Sequence, residues 1–265
     1  MSTSLQSVAR RIALLRQQLP TVPEALARLL VLVVAALFLN TFVLQPYLIP
    51  SESMEHTLLV GDFVLVNKQI YASAGGLSRW ILPYRQVARG DIVVFHHPQH
   101  PFLVKRVVGV PGDRLRIADG RVTVNGALLD EPYAAFEPAA LNPFRDDFPA
   151  RVYTDPNVDP GWWKQMQNLT RDGDLVIPKG EYFVLGDNRN YSKDSRFWGF
   201  VSRQQIVARP LVIYFSLTRP STTDVEQAPL ETALEASNDK LGHGSPITTR
   251  VEGFARWRRI FHVVR

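Results

Sequence analysis

The sequence predicts a mainly β domain that is anchored by one N-terminal transmembrane helix. The 265-residue chain has one long apolar run, Leu29 to Leu44, and this run contains no charged residue. From Asp62 onward the pattern changes to short runs rich in β-branched residues and bounded by turn residues. No long segment between 46 and 216 shows helical periodicity, so the sequence favours strands throughout that region.

The apolar run is compatible with a cleaved signal peptide, a buried core helix or a permanent transmembrane span. A cleaved peptide needs a small-x-small site after the run, and Asn40 to Leu44 offers none. A core helix needs a polar face, and Leu29 to Leu39 has no polar side chain. A span is therefore favoured, extended to 25–45 because 16 residues cover only about 24 Å of a ~30 Å hydrocarbon core. Arginines in the preceding segment, 1–24, place it in the cytoplasm and the rest of the chain outside.

Short strands follow the span and form the predicted β domain, 46–216. Two hairpins are marked by Asp119-Gly120 and Asn125-Gly126, because such dipeptides favour the turns between adjacent antiparallel strands. A hairpin and irregular subdomain is inserted at about 114–180, and 131–173 within it is predicted to lack regular structure. Pro210 predicts an edge or a bulge in the last strand. The predicted strands are 63–66, 91–95, 102–108, 114–117, 121–124, 127–129, 175–177, 182–185 and 206–215.

The last part of the chain, 217–265, is predicted to be a polar linker followed by a basic and aromatic tail. Phe254, Trp257, Phe261 and Val264 would share one face of a helix. Such a face suits the surface of an anionic membrane and suits packing against the β domain equally well. The sequence therefore leaves both positions of the tail open.

Composition excludes several classes of site. The chain has no cysteine, so it has no disulfide, thiolate nucleophile or zinc–thiolate site. Its net charge of +5 is spread along the sequence and does not indicate nucleic-acid binding. The histidine-rich segment 96–100 has no evident carboxylate or cysteine partner, so neither a metal nor a cofactor is expected.

The segment Pro50-Ser51-Glu52-Ser53-Met54 follows the apolar run closely and offers Ser53 as a candidate nucleophile. A serine hydroxyl needs a neighbouring base to become nucleophilic. His56 lies three residues away, although the chain has no G-x-S-x-G sequence. Because a Ser-His-Asp triad is defined by spatial positions, the sequence leaves His56 open as the base.

A lysine is the alternative base, provided that its pKa is lowered. Only a neutral amine accepts a proton, and burial can lower the lysine pKa of about 10.4 by up to 3–5 units. Lys105 lies in an apolar run, between Phe102-Leu103-Val104 and Val107-Val108. Lys68 is the rival, at a strand end where its amine can reach water.

A third segment, from Gly186 to Gly199, is unusually rich in polar residues. It carries two aspartates, two arginines and two serines within a turn. Asp194 and Arg196 could fix this turn as an ion pair, and Asp187 could cap it. A hydroxyl held there could orient the amine of a catalytic lysine, which is the third role that a serine nucleophile and its base require.

These segments together resemble the bacterial type I signal peptidases, also called leader peptidases. Three motifs occur in the family's order after a predicted span, and the chain's last residues also resemble the ends of many members. The matching motifs are Pro50-Ser51-Glu52-Ser53-Met54-x-x-Thr57-Leu58, Lys105-Arg106-Val107-Val108-Gly109-Val110-Pro111-Gly112-Asp113 and Gly186-Asp187-Asn188-Arg189-x-x-Ser192-x-Asp194-Ser195-Arg196-x-x-Gly199.

The resemblance implies a β-rich fold and a Ser/Lys dyad. Ser53 would be the nucleophile, Lys105 the general base, and Ser192 the group that orients the lysine amine. The Ser53 N–H and the Ser51 hydroxyl would form the oxyanion hole. Structural support would come from Asp194 and Arg196, and a pocket for small side chains from Ile49, Met54, Leu58, Leu103 and Val104.

The function implied by the resemblance is removal of signal peptides from exported preproteins. The substrates would carry small residues at −3 and −1 of the cleavage site, and the enzyme would sit in the bacterial inner membrane with its catalytic domain on the periplasmic side. Two alternatives remain open: a relative that processes a single pilin or conjugation protein, and an inactive membrane-tethered β adaptor. The chain departs from the family at His56, where proline is usual.

Overall fold

The computed structural model describes residues 22–38, 44–71, 85–98, 100–218 and 255–264. The chain divides into two compact units, Met1–Leu44 and Gln45–Arg265. In the first, helix α1 spans Val22–Phe38, and none of its residues is buried. None of the helices within the described ranges combines the length and the apolar character needed to cross a bilayer. Of the rest of the predicted span, 25–45, residues 39–43 lie outside the described residues, and Leu44 and Gln45 begin a strand instead of continuing a helix.

The second unit is built mainly of antiparallel strands, so the mainly β prediction is confirmed. The larger sheet has the order β1-β2-β12-β3-β4-β10-β11, and β13 pairs with β12 beside this path. Its strands are β1 Leu44–Leu48, β2 Asp62–Asn67, β3 Ile92–His97, β4 His100–Gly109, β10 Glu181–Leu185, β11 Val201–Ser202, β12 Ile206–Ser216 and β13 His262–Val263.

Strand β12 lies inside the larger sheet rather than at its edge. It pairs with β3 through Ile206 and Ala208, and with β2 from Arg209 onward. The register shifts between Pro210 and Val212, so the proline occupies an irregularity of the ladder. Proline cannot donate to a neighbouring strand, and of the two predicted positions for Pro210 the bulge is the one observed.

The smaller sheet has the order β7-β6-β5-β9-β8 and forms the inserted subdomain. The turn between β5 and β6 has positive φ at both Asp119 and Gly120, as the twist of a two-residue hairpin requires. Asn125 and Gly126, between β6 and β7, also have positive φ. The strands are β5 Arg114–Ala118, β6 Arg121–Val124, β7 Ala127–Leu128, β8 Thr170–Arg171 and β9 Asp174–Val176.

The prediction that 131–173 lacks regular structure is wrong. Helix α2 spans Pro143–Asp146 and helix α3 spans Pro160–Leu169. Asp159 begins α3 as its N-cap, since its side chain accepts a hydrogen bond from Trp162 N at 2.7 Å. Trp162 and Met166 lie four positions apart and are both buried, so tertiary packing holds one face of this short helix.

The tail from Ala255 to Val264 packs against the β domain. It forms a 3-10 turn at Trp257–Arg259 and the short strand β13, which pairs with β12. The predicted helical face is therefore wrong: Phe261 has a φ of +63°, which a helix does not permit, and its side chain is 78% exposed. Most of the predicted linker, from 219 onward, lies outside the described residues.

Candidate active site

Ser53 lies in a one-turn 3-10 helix, Glu52–Met54, on the loop between β1 and β2. The loop is closed at its base by two backbone hydrogen bonds, Ile49 N to Asp62 O at 2.9 Å and Gly61 N to Ile49 O at 3.0 Å. Met54 and Leu58 are buried in the core beneath it. Apolar burial on the C-terminal side of Ser53 thus fixes the turn, and Ser53 itself is buried, with 9% of its surface exposed.

Lys105 lies on β4, with only 3% of the residue exposed. Its Nζ donates a hydrogen bond to Ser53 Oγ, so the structure brings together the serine and the lysine that the sequence singled out. Burial lowers the lysine pKa to about 8, and the Asp194 carboxylate opposes this only in part. A far larger fraction of the amine is therefore neutral near neutral pH than for an exposed lysine.

Two further groups surround the Ser53 hydroxyl and backbone. The Ser51 hydroxyl is exposed and lies 3.5 Å from Ser53 Oγ, at the open side of the loop. The Ser53 carbonyl accepts a hydrogen bond from Asn188 N at 3.2 Å. The second contact ties the nucleophile loop to the segment that begins at Gly186.

Asp194 and Arg196 form a fully buried ion pair in that segment, with Arg196 Nη2 2.8 Å from Asp194 Oδ2. The same carboxylate oxygen accepts from Gly186 N at 3.0 Å, and Arg196 Nη2 also donates to Arg189 O at 2.7 Å. Burial alone would raise the pKa of Asp194, but the Arg196 charge and these donors bring it below its ordinary value. The ion pair thus holds the segment at two points, Gly186 through the Asp194 carboxylate and Arg189 through the Arg196 guanidinium.

Ser192 is buried between Gly186 and the ion pair. Its Oγ makes no hydrogen bond of ordinary geometry within the described part of the chain, although the hydroxyl is close enough to Asp194 to help lower the pKa of that carboxyl. A Cβ placed on Gly186 would lie 2.3 Å from Ser192 Oγ and 2.4 Å from the Ser53 carbonyl oxygen. The absence of a side chain at Gly186 is therefore what lets the Ser192 hydroxyl and the nucleophile loop approach each other.

A second buried ion pair, between Arg106 and Asp187, was not predicted from the sequence. Arg106 Nε and Nη2 donate to the two Asp187 oxygens at 2.8 and 2.7 Å, and the guanidinium carbon lies 3.8 Å from the centre of the Tyr133 ring. Thr57 Oγ1 donates to Asp187 Oδ2 at 2.5 Å. Asp187 thus joins the strand that carries Lys105 to the loop that carries Ser53. The only indication in the sequence that Arg106 belongs to the site was its position beside Lys105 in the family motif.

The other two candidate bases are placed differently. His56 has a φ of +77° and its Nε2 lies 3.2 Å from Glu137 Oε1, with both side chains about half exposed. Lys68 follows β2 directly and is half-buried. The hydrogen bond to Ser53 Oγ comes from Lys105, which favours it over both rivals.

A cavity of about 90 Å³ opens beside Ser53 and Lys105. Four of the five predicted pocket residues line it, namely Ile49, Met54, Leu103 and Val104. The fifth, Leu58, has no exposed surface and belongs to the core below. A larger cavity of about 660 Å³ lies against the smaller sheet and is lined by none of the candidate catalytic residues.

Comparison with known proteins identifies the family. The family model described as "Signal peptidase, peptidase S26" matches residues 22–215. The chain is 33% identical to signal peptidase I of Aquifex aeolicus over 245 residues, covering 78% of this chain and 90% of that protein. It is 34% identical to signal peptidase I of Pseudomonas aeruginosa over 207 residues, covering 71% of each.

Two more similarities involve shorter stretches. Signal peptidase IB of Staphylococcus aureus is 38% identical over 168 residues, covering 63% of this chain and 76% of that protein. A crystal structure of a signal peptidase I from Enterococcus faecalis is 29% identical and covers 47% of this chain and 97% of that one, with a TM-score of 0.35. The family model and the first two relatives show that the chain belongs to the signal peptidases of the peptidase S26 family, serine endopeptidases that cleave signal peptides.

Proposed function

We propose that the chain cleaves signal peptides with a dyad in which Ser53 is the nucleophile and Lys105 the general base. The observation that carries this proposal is the hydrogen bond from the buried Lys105 amine to Ser53 Oγ. The neutral amine accepts the hydroxyl proton while Oγ attacks the scissile carbonyl carbon, and the resulting ammonium donates that proton to the leaving amine. The amine then takes a proton from a water molecule as the water oxygen attacks the Ser53 ester, and the ammonium returns that proton to Ser53 Oγ as the Oγ–acyl bond breaks.

Negative charge on the carbonyl oxygen needs donors as the tetrahedral intermediate forms. We assign this role to the Ser53 N–H and the Ser51 hydroxyl, because the Ser51 side chain lies on the open side of the loop. We assign to Ser192 the role of orienting the lysine amine, since its buried Oγ can still accept a hydrogen bond. Asp194 and Arg196 keep the surrounding turn rigid.

The proposed substrates are exported preproteins with small residues at −3 and −1 of the cleavage site. The cavity beside the dyad supports this, because about 90 Å³ accommodates a methyl group but not a large side chain. We further propose that the apolar segment from 25 up to β1 anchors the chain in the bacterial inner membrane, with 1–24 cytoplasmic and the catalytic domain, 46–216, on the periplasmic side. The support is α1, whose leucine and valine side chains are exposed all around the helix.

Cleavage of one preprotein with different residues at −1 tests the proposed specificity. We expect replacement of alanine by leucine or phenylalanine at −1 to lower kcat/KM by about 100-fold, because the cavity cannot admit the larger side chain without displacing its walls. The measurement is cleavage by the full chain in detergent or lipid, with the same replacement at −2 as the control. Equal cleavage of the alanine and phenylalanine substrates would contradict the assigned pocket.

Gly186→Ala provides a test of the packing around the dyad. The new methyl group would overlap Ser192 Oγ and the Ser53 carbonyl, so one of them must move. We expect kcat to fall by about 100-fold, since a displacement of about 1 Å can have that effect on a catalytic geometry. Circular dichroism should show an unchanged fold.

The matched control for that variant is Gly112→Ala. Gly112 has a φ of +89° and nothing within 4 Å of an added methyl group, so the change introduces backbone strain of about 1–3 kcal/mol without a clash. We expect Gly112→Ala to lower stability and leave kcat unchanged. Wild-type kcat in Gly186→Ala would show that the Ser192 hydroxyl does not have to lie where the structure has it.

A further inference from the structure

We propose that the C-terminal segment, Ala255 to Val264, positions the nucleophile loop, and that Arg259 is the residue through which it acts. The inference rests on the proposed function in one respect, namely that Ser53 is the nucleophile. The segment lies far from the three motifs in sequence and contributes no group to the dyad. Its arginines nevertheless contact the loop between β1 and β2 on which Ser53 lies.

Arg259 contacts both the side chain and the backbone of this loop. Its Nη2 donates to Asp62 Oδ2 at 2.6 Å and to the Thr57 carbonyl at 2.9 Å, and its Nε lies 3.2 Å from each Asp62 oxygen. Asp62 is completely buried, so its charge depends on such partners. One guanidinium therefore joins two points of the loop, five residues apart.

Arg256 makes a parallel set of contacts one turn earlier in the segment. Its Nη2 donates to the Val60 carbonyl and, at 2.7 Å, to the Leu217 carbonyl, while its Nε donates to Ser216 Oγ at 2.8 Å. Ser216 Oγ in turn donates to Asp62 Oδ1 at 2.6 Å. Arg256 thus ties Val60 of the nucleophile loop to the end of β12.

Thr57 connects these contacts to the dyad. Its carbonyl accepts from Arg259, its hydroxyl donates to Asp187, and its N–H donates to the Met54 carbonyl at 3.1 Å. Met54 follows Ser53 directly, and Asp187 is paired with Arg106, the neighbour of Lys105. Thr57 is therefore held from one side by the C-terminal segment and from the other by the strand that carries the base.

This arrangement assigns Arg259 a role in the distance between Ser53 Oγ and Lys105 Nζ. Loss of the Arg259 contact with Thr57 would free the loop on one side, while the core packing of Met54 and Leu58 would still hold it in the fold. The expected consequence is a slower chemical step with unimpaired substrate binding, because the cavity walls do not include Arg259.

The test is Arg259→Ala in the full chain, assayed with a preprotein in detergent. We expect kcat to fall by about 10- to 100-fold and KM to stay within about twofold of the wild-type value. The matched control is Arg258→Ala, which removes the same side chain from the same 3-10 turn at an exposed position. We expect this control to retain wild-type kcat.

Arg259→Lys separates positioning from stability. A lysine ammonium can pair with Asp62, but it lacks the planar fork that reaches the carboxylate and the Thr57 carbonyl together. We expect the Tm of this variant to lie near that of the wild type, with kcat still reduced several-fold. Recovery of both Tm and kcat in Arg259→Lys would overturn the proposal, because it would show that Arg259 acts only by neutralising Asp62.

Two further outcomes are decisive. Wild-type kcat in folded Arg259→Ala, together with an inactive Ser53→Ala in the same assay, would overturn the positioning role and leave the nucleophile assignment intact. Full activity in Ser53→Ala would overturn the nucleophile assignment and the positioning role with it.

Discussion

Ser53→Ala is expected to lower the rate of preprotein cleavage by at least about 10³-fold while the protein remains folded. Loss of the nucleophile leaves only substrate binding and oxyanion donors, and these account for a small part of catalysis in known serine proteases. Ser53 is a small, buried side chain in a turn that Met54 and Leu58 anchor, so the substitution removes one hydroxyl and changes little side-chain volume. The measurement is single-turnover cleavage of a preprotein, with thermal unfolding as the check on folding.

Variants of the rival groups are the controls for this result. His56→Ala and Lys68→Ala should cleave at rates near that of the wild type, because the buried amine that meets Ser53 Oγ belongs to Lys105. The cleavage rate of Ser51→Ala should lie between the rates of these two variants and that of Ser53→Ala, since one oxyanion donor typically contributes a factor of 10²–10³ to kcat. An inactive, folded His56→Ala would contradict the assignment of Lys105 and favour a histidine base.

Two features of the chain were predictable because their signals in the sequence are local. Lys105 was singled out by the apolar residues around it in the sequence, and in the structure it is buried in β4 with a lowered pKa. The β5–β6 hairpin followed from Asp119-Gly120, whose positive φ values are a property of those two residue types. In each case the pattern on which the prediction rests spans only a few consecutive residues.

Features that depend on contacts between distant segments were not predictable in this way. The Arg106–Asp187 pair joins residues 81 positions apart, and the Arg259–Asp62 pair residues 197 apart. Nothing in the sequence near an arginine states which carboxylate it will meet. Helix α3 was missed because ten residues give too short a periodic pattern, although Asp159-Pro160 is a fair N-terminal signal for a helix.

The positions of Leu58 and of the tail also depend on contacts between segments that are distant in the sequence. Leu58 follows the serine motif and was predicted to line the substrate pocket, yet it faces the core beneath the loop. The spacing of aromatic residues in the tail suggested a helix, but pairing of β13 with β12 and the arginine contacts with the loop decide its conformation. Tertiary contacts override a weak local pattern in both cases.

Lys105→Met is expected to abolish cleavage and, at the same time, to stabilise the protein. The substitution keeps the length and apolar character of the side chain but removes the amine, so Ser53 has no base. In the wild type the same requirement for a neutral base predicts that kcat/KM rises with pH through about 8, the lowered pKa of Lys105. Lys68→Met is the control, and it should retain activity, because the amine that meets Ser53 Oγ is that of Lys105.

The sign of the stability change follows from proton binding. The Lys105 pKa is about 8 in the folded protein and 10.5 at its ordinary value, so between these values the unfolded chain binds more protons than the folded one. Wild-type stability therefore rises with pH across this window, and the cost of the buried amine is fully present below pH 8. At about 1.36 kcal/mol per unit, this cost is about 3 kcal/mol.

Denaturant unfolding of Lys105→Met and wild type at a series of pH values measures this cost. We expect the variant to be more stable by about 2–3 kcal/mol at pH 7, since the lost hydrogen bond to Ser53 Oγ offsets about 1 kcal/mol of the gain. The difference should shrink from pH 8 upward and reverse above about pH 10.5, where the amine is neutral in both states and the wild type keeps only the advantage of about 1 kcal/mol from its hydrogen bond. A difference that is constant with pH would show that Lys105 is not buried as a titrating base. The pH dependence would connect the two roles of this residue, because the burial that destabilises the folded chain is the same burial that supplies a neutral amine to Ser53.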